Sequence, residues 1–230
     1  MKRHLYSIIT LAVLALPVAF SFEGRVHFWT HWPAAGAALA LTGVLYLFWN
    51  SLAVRRGDWT FNPKYAGALR LFHLPVGGVL FLVAVPYASL FLFEMVRSSF
   101  SSEWWPVART PLLAGALVFV VAAWLFRHHG FTLITMVSAV IFLSTLALTH
   151  PGLAGRSEFW IWLGACFVGL AVVCWLTAAL PILWYNPKAF TGLKIGPVPL
   201  EDFIYNLSFV GLTLCFYLVF ESWFAGQVGL

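Results

Sequence analysis

Two carboxylates stand side by side in this chain, Glu201 and Asp202, directly after Pro199 and Leu200 and at the head of a long apolar run. Only eight of the 230 residues are acidic, so an adjacent pair at the entrance of an apolar helix carries weight. The plain reading is that acidic side chains in a first turn complement the helix dipole. The alternative is functional, because ionisable groups at membrane depth are costly and usually hold a working position. Such a pair could share one proton and do acid–base work, although consecutive helical residues diverge by about 100° and need not meet. Tyr205 follows Glu201 by one turn and Asn206 follows Asp202 by one turn. Each is spaced to hydrogen-bond the acid before it.

Other reactive residue types point to less. His27 and His31 have a spacing that metal sites use, but their loop is rich in tryptophan, which suits a membrane interface. His128-His129-Gly130 reads as a turn between helices. Cys166, Cys174 and Cys215 all lie inside apolar runs with no CxxC or Cys/His ligand spacing, so neither a disulfide framework nor a zinc site is indicated. No GxGxxG turn is present for a flavin or dinucleotide. Asp58 and Asp202 are too far apart in sequence to form the clustered aspartates that hold magnesium diphosphate. The net charge of +5 is spread singly and in pairs rather than gathered in a basic stripe, so nucleic acid is not an expected partner.

The elements that must position these side chains are membrane helices. Apolar residues make up 62% of the chain and charged residues 9%, with a mean hydropathy of +0.90. Soluble domains carry about 25% charge, and the excess apolar surface here must face lipid. Spans of about 20 apolar residues are expected at 5–22, 33–52, 74–96, 107–126, 131–150, 158–183 and 199–224. The first resembles a signal peptide after Lys2-Arg3, but its recurrence later in the chain argues for its retention. With seven spans, nine of the thirteen Lys and Arg residues fall on the N-terminal side and four on the other. The positive-inside rule then places the N-terminus in the cytoplasm and the C-terminus across the cell (inner) membrane. Glu94 and Glu221 end their helices; at 1.5 Å per residue, Glu221 lies about 30 Å from Glu201, at the far interface.

The chain also repeats itself. Asn62-Pro63-Lys64 recurs as Asn186-Pro187-Lys188, an offset of 186 − 62 = 124. Pro75 meets Pro199 and Arg70 meets Lys194 in the same register. That offset lays spans one, two and three on spans five, six and seven and leaves the fourth over. A three-helix unit ends opposite to where it starts, so one extra helix is what gives two copies the same orientation. The expected architecture is therefore all-α: a polytopic membrane protein of about seven transmembrane helices in two parallel three-helix repeats. The segments are 1–97, a linker with the fourth helix at 98–128, and 129–230.

The Asn-Pro-Lys loop, the Pro-Leu-Glu-Asp run, the Tyr205-Asn206 pair and the repeat together resemble the membrane-integral lycopene cyclases, which occur as two small subunits or as fused chains. The resemblance covers nearly the whole chain and is strongest at Leu176–Lys188 and Ile195–Asn206. It implies a cofactor-independent isomerase that closes ionone-type rings on a linear carotenoid in the bilayer, without metal. Association with other enzymes of carotenoid assembly is a further expectation. The family motif of proline, apolar residue and two acids is met by Pro199, Leu200, Glu201 and Asp202. The first copy departs from it: Gly77 and Gly78 stand where two carboxylates are expected, and Asn50 where the family often has Asp. His73, near that degenerate site, is a candidate replacement acid.

The implied chemistry starts with protonation of a terminal C=C bond, passes through a tertiary carbocation and ends with proton loss. Its acid must stay protonated in a dry site. On this reading Glu201 donates, Asp202 orients or tunes it, and Tyr205, Asn206, Asn186 and Lys194 are supporting polar groups. Phe61, Trp184, Tyr185 and Phe203 are candidates to stabilise the cation through their ring faces, or to belong to an interfacial aromatic belt. The competing reading is a carotenoid- or lipid-binding membrane protein of cyclase descent without catalysis, which Gly77-Gly78 favours. A transporter fits less well, because the acid pair opens a helix rather than sitting mid-span.

Overall fold

A computed structural model describes residues 2–100 and 103–228. Met1, Ser101, Ser102, Gly229 and Leu230 fall inside the expected segments but outside the described residues. The helices are α1 (Leu5–Phe20), α2 (Trp32–Arg56), the single turn α3 (Pro63–Ala66), α4 (Val76–Ser99), α5 (Arg109–Leu125), α6 (Gly130–Thr149), α7 (Ser157–Ala179) and α8 (Leu200–Val228). Six two- or three-residue strands lie between them: β1 (Trp59–Phe61), β2 (Arg70–Leu71), β3 (Leu74–Pro75), β4 (Leu183–Tyr185), β5 (Lys194–Ile195) and β6 (Val198–Pro199). Among the described residues the body is thus all-helical, with five helices long and apolar enough to cross a membrane: Phe28–Arg56, Val76–Ser99, Gly130–Thr149, Ser157–Ala179 and Leu200–Gly226. Helices α1 and α5, both expected as spans, are shorter, at 16 and 17 residues.

Local chemistry sets the boundaries. Pro33 at the start of α2 needs no N–H partner, and Gly57 closes that helix in the left-handed conformation. The expected sixth span, 158–183, stops earlier, at Ala179. Pro181 cannot supply the amide that another turn requires, and Leu183–Tyr185 leave as a strand. The strands themselves carry no sequence signal beyond Trp59-Thr60-Phe61, whose outer residues are buried and whose middle one is exposed.

Helix α8 is the axis of the bundle, packed against α2, α4, α6 and α7, while α1 lies along α4. Helix α5 leans on α6 alone among the long helices it touches extensively. It turns Ala116 and Ala123 inward and leaves Leu117, Val118 and Trp124 more than 60% exposed, the surface that lipid covers.

The two Asn-Pro-Lys loops form a reciprocal clasp. Each Asn caps its own turn by accepting from the Lys amide, Asn62 from Lys64 and Asn186 from Lys188, both at 3.0 Å. The Asn62 amide nitrogen donates to Ile182 O at 3.0 Å and its side chain to Pro181 O at 3.1 Å. Asn186 does the same to Asp58 O at 2.9 Å and Gly57 O at 3.1 Å. Beside them β1 pairs antiparallel with β4, Trp59 opposite Tyr185 and Phe61 opposite Leu183. The hairpins β2–β3 and β5–β6 have the same pairing, Arg70 with Pro75 and Lys194 with Pro199.

Candidate active site

Beneath this clasp lies a cavity of about 70 Å³ at the heads of α4 and α8. Its walls are rich in aromatic rings. Tyr6 comes from α1, Trp59 and Phe61 from β1, Phe81 from α4, Phe131 from α6, Tyr185 from β4, and Tyr205 and Phe209 from α8. The polar groups on the wall include Asn50, Thr177, Asp202 and Asn206. Gly78 is also there, so the degenerate first-copy positions Asn50 and Gly78 share one cavity with the intact carboxylate of the second.

The two acids point different ways. Asp202 lines the cavity and accepts a hydrogen bond at Oδ2 from the Tyr185 hydroxyl. Burial, then the neighbouring Asp202 carboxylate, pushes the Tyr185 hydroxyl well above the ordinary tyrosine range, so it remains an O–H donor. Glu201 is not on the cavity wall. Its Oε1 accepts from Thr132 Oγ1 at 2.8 Å, Thr191 Oγ1 at 2.8 Å and Thr191 N at 2.9 Å. Those bonds tie the head of α8 to α6 and to the loop before β5, while Oε2 is buried without a partner among the described residues. Among those residues neither acid forms an ion pair with Lys, Arg or His.

Neither Tyr205 nor Asn206 bonds the carboxyl group of the acid one turn before it. The Tyr205 hydroxyl accepts from Asn50 Nδ2 at 3.0 Å, and Asn206 Nδ2 donates to the backbone oxygen of Asp202 at 2.8 Å and to Cys174 Sγ at 3.6 Å. Both still line the cavity. Asn186 belongs to the clasp, and Lys194 is exposed with its ammonium 5.4 Å from the Phe190 ring. Of the expected aromatic groups, Phe61 and Tyr185 reach the cavity. Trp184 is exposed opposite Thr60, and Phe203 packs with Cys174, Val198 and the Phe167 ring. His73 is exposed beside Ser51, outside the cavity lining. Gly77 has a steric reason: a Cβ there would lie 2.8 Å from Ser7 N and 3.0 Å from the Tyr6 ring, so its absence lets α1 close on α4.

Sequence reasoning missed Tyr6, Trp59, Phe81, Phe131 and Phe209 on the wall, and Thr132 and Thr191 on Glu201. The repeat offset could have flagged one of them, since Phe81 is the counterpart of Tyr205 (205 − 124 = 81). The rest had no signal, because helix-borne aromatics are everywhere in this chain.

A second polar cluster occupies the opposite end of α4 and α8. Arg97 makes two bonds to Glu221, at 2.8 and 3.0 Å, and a second ion pair to Glu94 at 2.8 Å. Tyr217 donates to Glu94 at 2.7 Å, and His31 Nδ1 lies 3.1 Å from Glu221. The His31, Glu94 and Glu221 ligand atoms lie close enough together to hold a cation. The Arg97 guanidinium already sits among the carboxylates and satisfies them, so the cluster is an ion-pair network that ties α2, α4 and α8 together.

Comparisons with known proteins identify the family. A lycopene cyclase family model matches residues 3–96 and 104–220, nearly all of the chain. A bifunctional lycopene cyclase/phytoene synthase of Podospora anserina is 28% identical over 109 residues, covering 47% of this chain and 18% of that protein. No solved structure matches. With both halves of the chain covered by one family model, the conclusion is plain: the chain belongs to the lycopene cyclase family.

Proposed function

We propose that this protein is a carotenoid cyclase that closes ionone-type rings on a linear, lycopene-like substrate, with Asp202 as the proton donor. The observation that carries this reading is Asp202 on the wall of an aromatic cavity, hydrogen-bonded to Tyr185 and without a cationic partner among the described residues. The Asp202 O–H bond breaks as a C–H bond forms at the terminal alkene, leaving a tertiary carbocation. A neighbouring C=C bond attacks that carbon and closes the six-membered ring, moving the charge inward. The Asp202 carboxylate then takes a proton from a carbon next to the new cation, which restores a C=C bond, regenerates the acid and leaves product isomeric with substrate. No electron or group is gained, so the balance needs no cofactor.

The site suits each step. A buried surround rich in aromatic rings, with no counter-ion among the described residues, suits a carboxylic acid that keeps its proton until the substrate takes it. The Tyr185 hydroxyl steadies the carboxylate left behind, a charge-assisted bond. Ring faces of Tyr6, Trp59, Phe61 and Phe131 can stabilise the cation without trapping it as a nucleophile would. Glu201, held by three hydrogen bonds away from the cavity, is better suited to anchoring α8 than to donating, which reverses the roles expected from sequence order.

The same reading takes the chain as two parallel three-helix repeats, 1–97 and 129–230, joined by 98–128, with seven spans and a cytoplasmic N-terminus in the cell membrane. The reciprocal bonds of Asn62 and Asn186 support it: adding 124 to Asn62, Gly57 and Asp58 yields Asn186, Pro181 and Ile182, the partners of the other loop. Expression in a bacterium that accumulates lycopene, followed by chromatography of the extracted pigment, tests the activity. Cyclic carotenoids are the expected product. Lycopene left unchanged by well-expressed, membrane-inserted protein would overturn the cyclase reading and favour a binding protein.

A further inference from the structure

We propose that the cleft between α4 and α7 is the binding groove for the polyene chain of the substrate, open sideways to the bilayer at Gly169. This rests on the cyclase reading for the identity of the occupant. A second cavity, of about 170 Å³, lies between α1, α4, α7 and α8, and Val173 borders both it and the Asp202 cavity. The two lie end to end along single helix faces, with Val173 between them. On α4 the wall runs from Gly78 and Leu82 in the first cavity to Val85, Ser89 and Leu92 in the second. Those steps of three and four residues keep one side of a helix. On α7 it runs from Thr177 and Cys174 through Val173 to Leu170 and Cys166. From Gly78 to Leu92 the rise is about 21 Å at 1.5 Å per residue, an extended path suited to a rod-like hydrocarbon.

The groove is dry in chemical character. Its Ser89 hydroxyl donates to Pro86 O at 2.8 Å, and Ser89 O accepts from Trp162 Nε1 at 2.7 Å, so its polar groups are already occupied. It is also open. A Cβ on Gly169 would meet no atom within 4 Å, and its neighbours Val168 and Val172 are 63% and 55% exposed on the lipid side. A substrate dissolved in the bilayer therefore reaches the groove without crossing water.

The cleft at the matching positions of the other half is closed. Thr42, Tyr46, Phe209 and Thr213 stand 124 residues from Cys166, Leu170, Val85 and Ser89. In that cleft, between α2 and α8, Thr213 donates to Thr42 at 3.1 Å and Tyr46 stacks on Phe209 at 4.2 Å. The open cleft adjoins the half-site in which α1 is drawn onto α4 at Gly77, and ends at Val173 on the wall of the cavity that holds Asp202. One groove and one acid make a single polyene site.

The test uses the full chain in lipid nanodiscs, with lycopene binding read as quenching of tryptophan emission, to which Trp162 behind Ser89 contributes. Turnover is read from pigment in the lycopene-accumulating bacterium. Gly169→Phe should weaken lycopene binding at least tenfold and remove most cyclic product, while Val168→Phe on the adjoining lipid face leaves both unchanged. Ala165→Leu, a smaller block on the same wall, should act in the same direction if Gly169→Phe fails to accumulate. Wild-type binding and product in both groove variants would overturn the groove and leave the cyclase reading intact. Gly169-dependent binding with no cyclic product from wild type would keep the groove and overturn the cyclase reading. A folded wild-type protein that binds no lycopene would overturn the groove outright.

Discussion

Replacing Asp202 by Asn removes the transferable proton and almost nothing else. The amide oxygen can still accept from the Tyr185 hydroxyl, and the side chain keeps its size and its place on the cavity wall. The amide nitrogen then faces an apolar wall, a desolvation cost of about 1–3 kcal/mol, so the variant should fold with a modestly lowered Tm. Its rate should fall much further. A positioned general acid contributes about 10²–10⁴-fold, or roughly 2.7–5.5 kcal/mol of barrier at 1.36 kcal/mol per decade. Initial rates of ring formation from lycopene in nanodiscs, at matched protein, measure that loss. The paired variant is Glu201→Gln, in which Oε1 can still accept from Thr132 and Thr191. It should retain at least a tenth of wild-type activity. Near-normal turnover by Asp202→Asn together with loss in Glu201→Gln would refute the assignment of the donor and return the role to Glu201.

Tyr185→Phe keeps the ring stacked near Phe131, at a centroid distance of 6.1 Å, but deletes the bond to Asp202. Loss of one hydrogen bond to a charged group, about 1.5–3 kcal/mol, predicts about a 10- to 100-fold lower kcat with little change in KM. Asn62→Ala and Asn186→Ala each remove a cap and a clasp bond, so both should lower stability by about 1–2 kcal/mol and to similar extents, read as Tm in detergent. Gly77→Ala should cost about 1–3 kcal/mol by forcing α1 from α4, whereas Gly78→Ala, whose Cβ would sit 3.4 Å from Pro75, should leave Tm nearly unchanged. Equal Tm values for the two glycine variants would show that the α1–α4 contact is looser than described.

Residue types alone settled the class of this protein. With 9% charge, a chain of this length cannot cover itself in water, and spacing of apolar runs located all seven long helices to within a few residues. The Asn-Pro-Lys and Pro-Leu-Glu-Asp motifs were legible for a related reason: Pro and Asn have local backbone preferences, so the capped turn at Asn62 and the start of α8 after Pro199 follow from neighbours in sequence. The short strands were hidden because β1 and β4 exist only by pairing with each other across 124 residues.

What tertiary structure decided is which side each group faces and what it meets. Glu201 and Asp202 are adjacent, share a helix turn and look alike as a motif, yet rotation by about 100° per residue sends one to Thr132 and Thr191 and the other to the cavity. Tyr205 and Asn206 have the spacing to serve those acids, but Asn50 and the Asp202 backbone lie nearer their polar atoms. In a bundle whose helices are apolar on every side, the pattern along one helix does not record which neighbour it packs against. The aromatic wall around Asp202 and the open cleft at Gly169 are set by the packing of several helices, and no local run of residues encodes them.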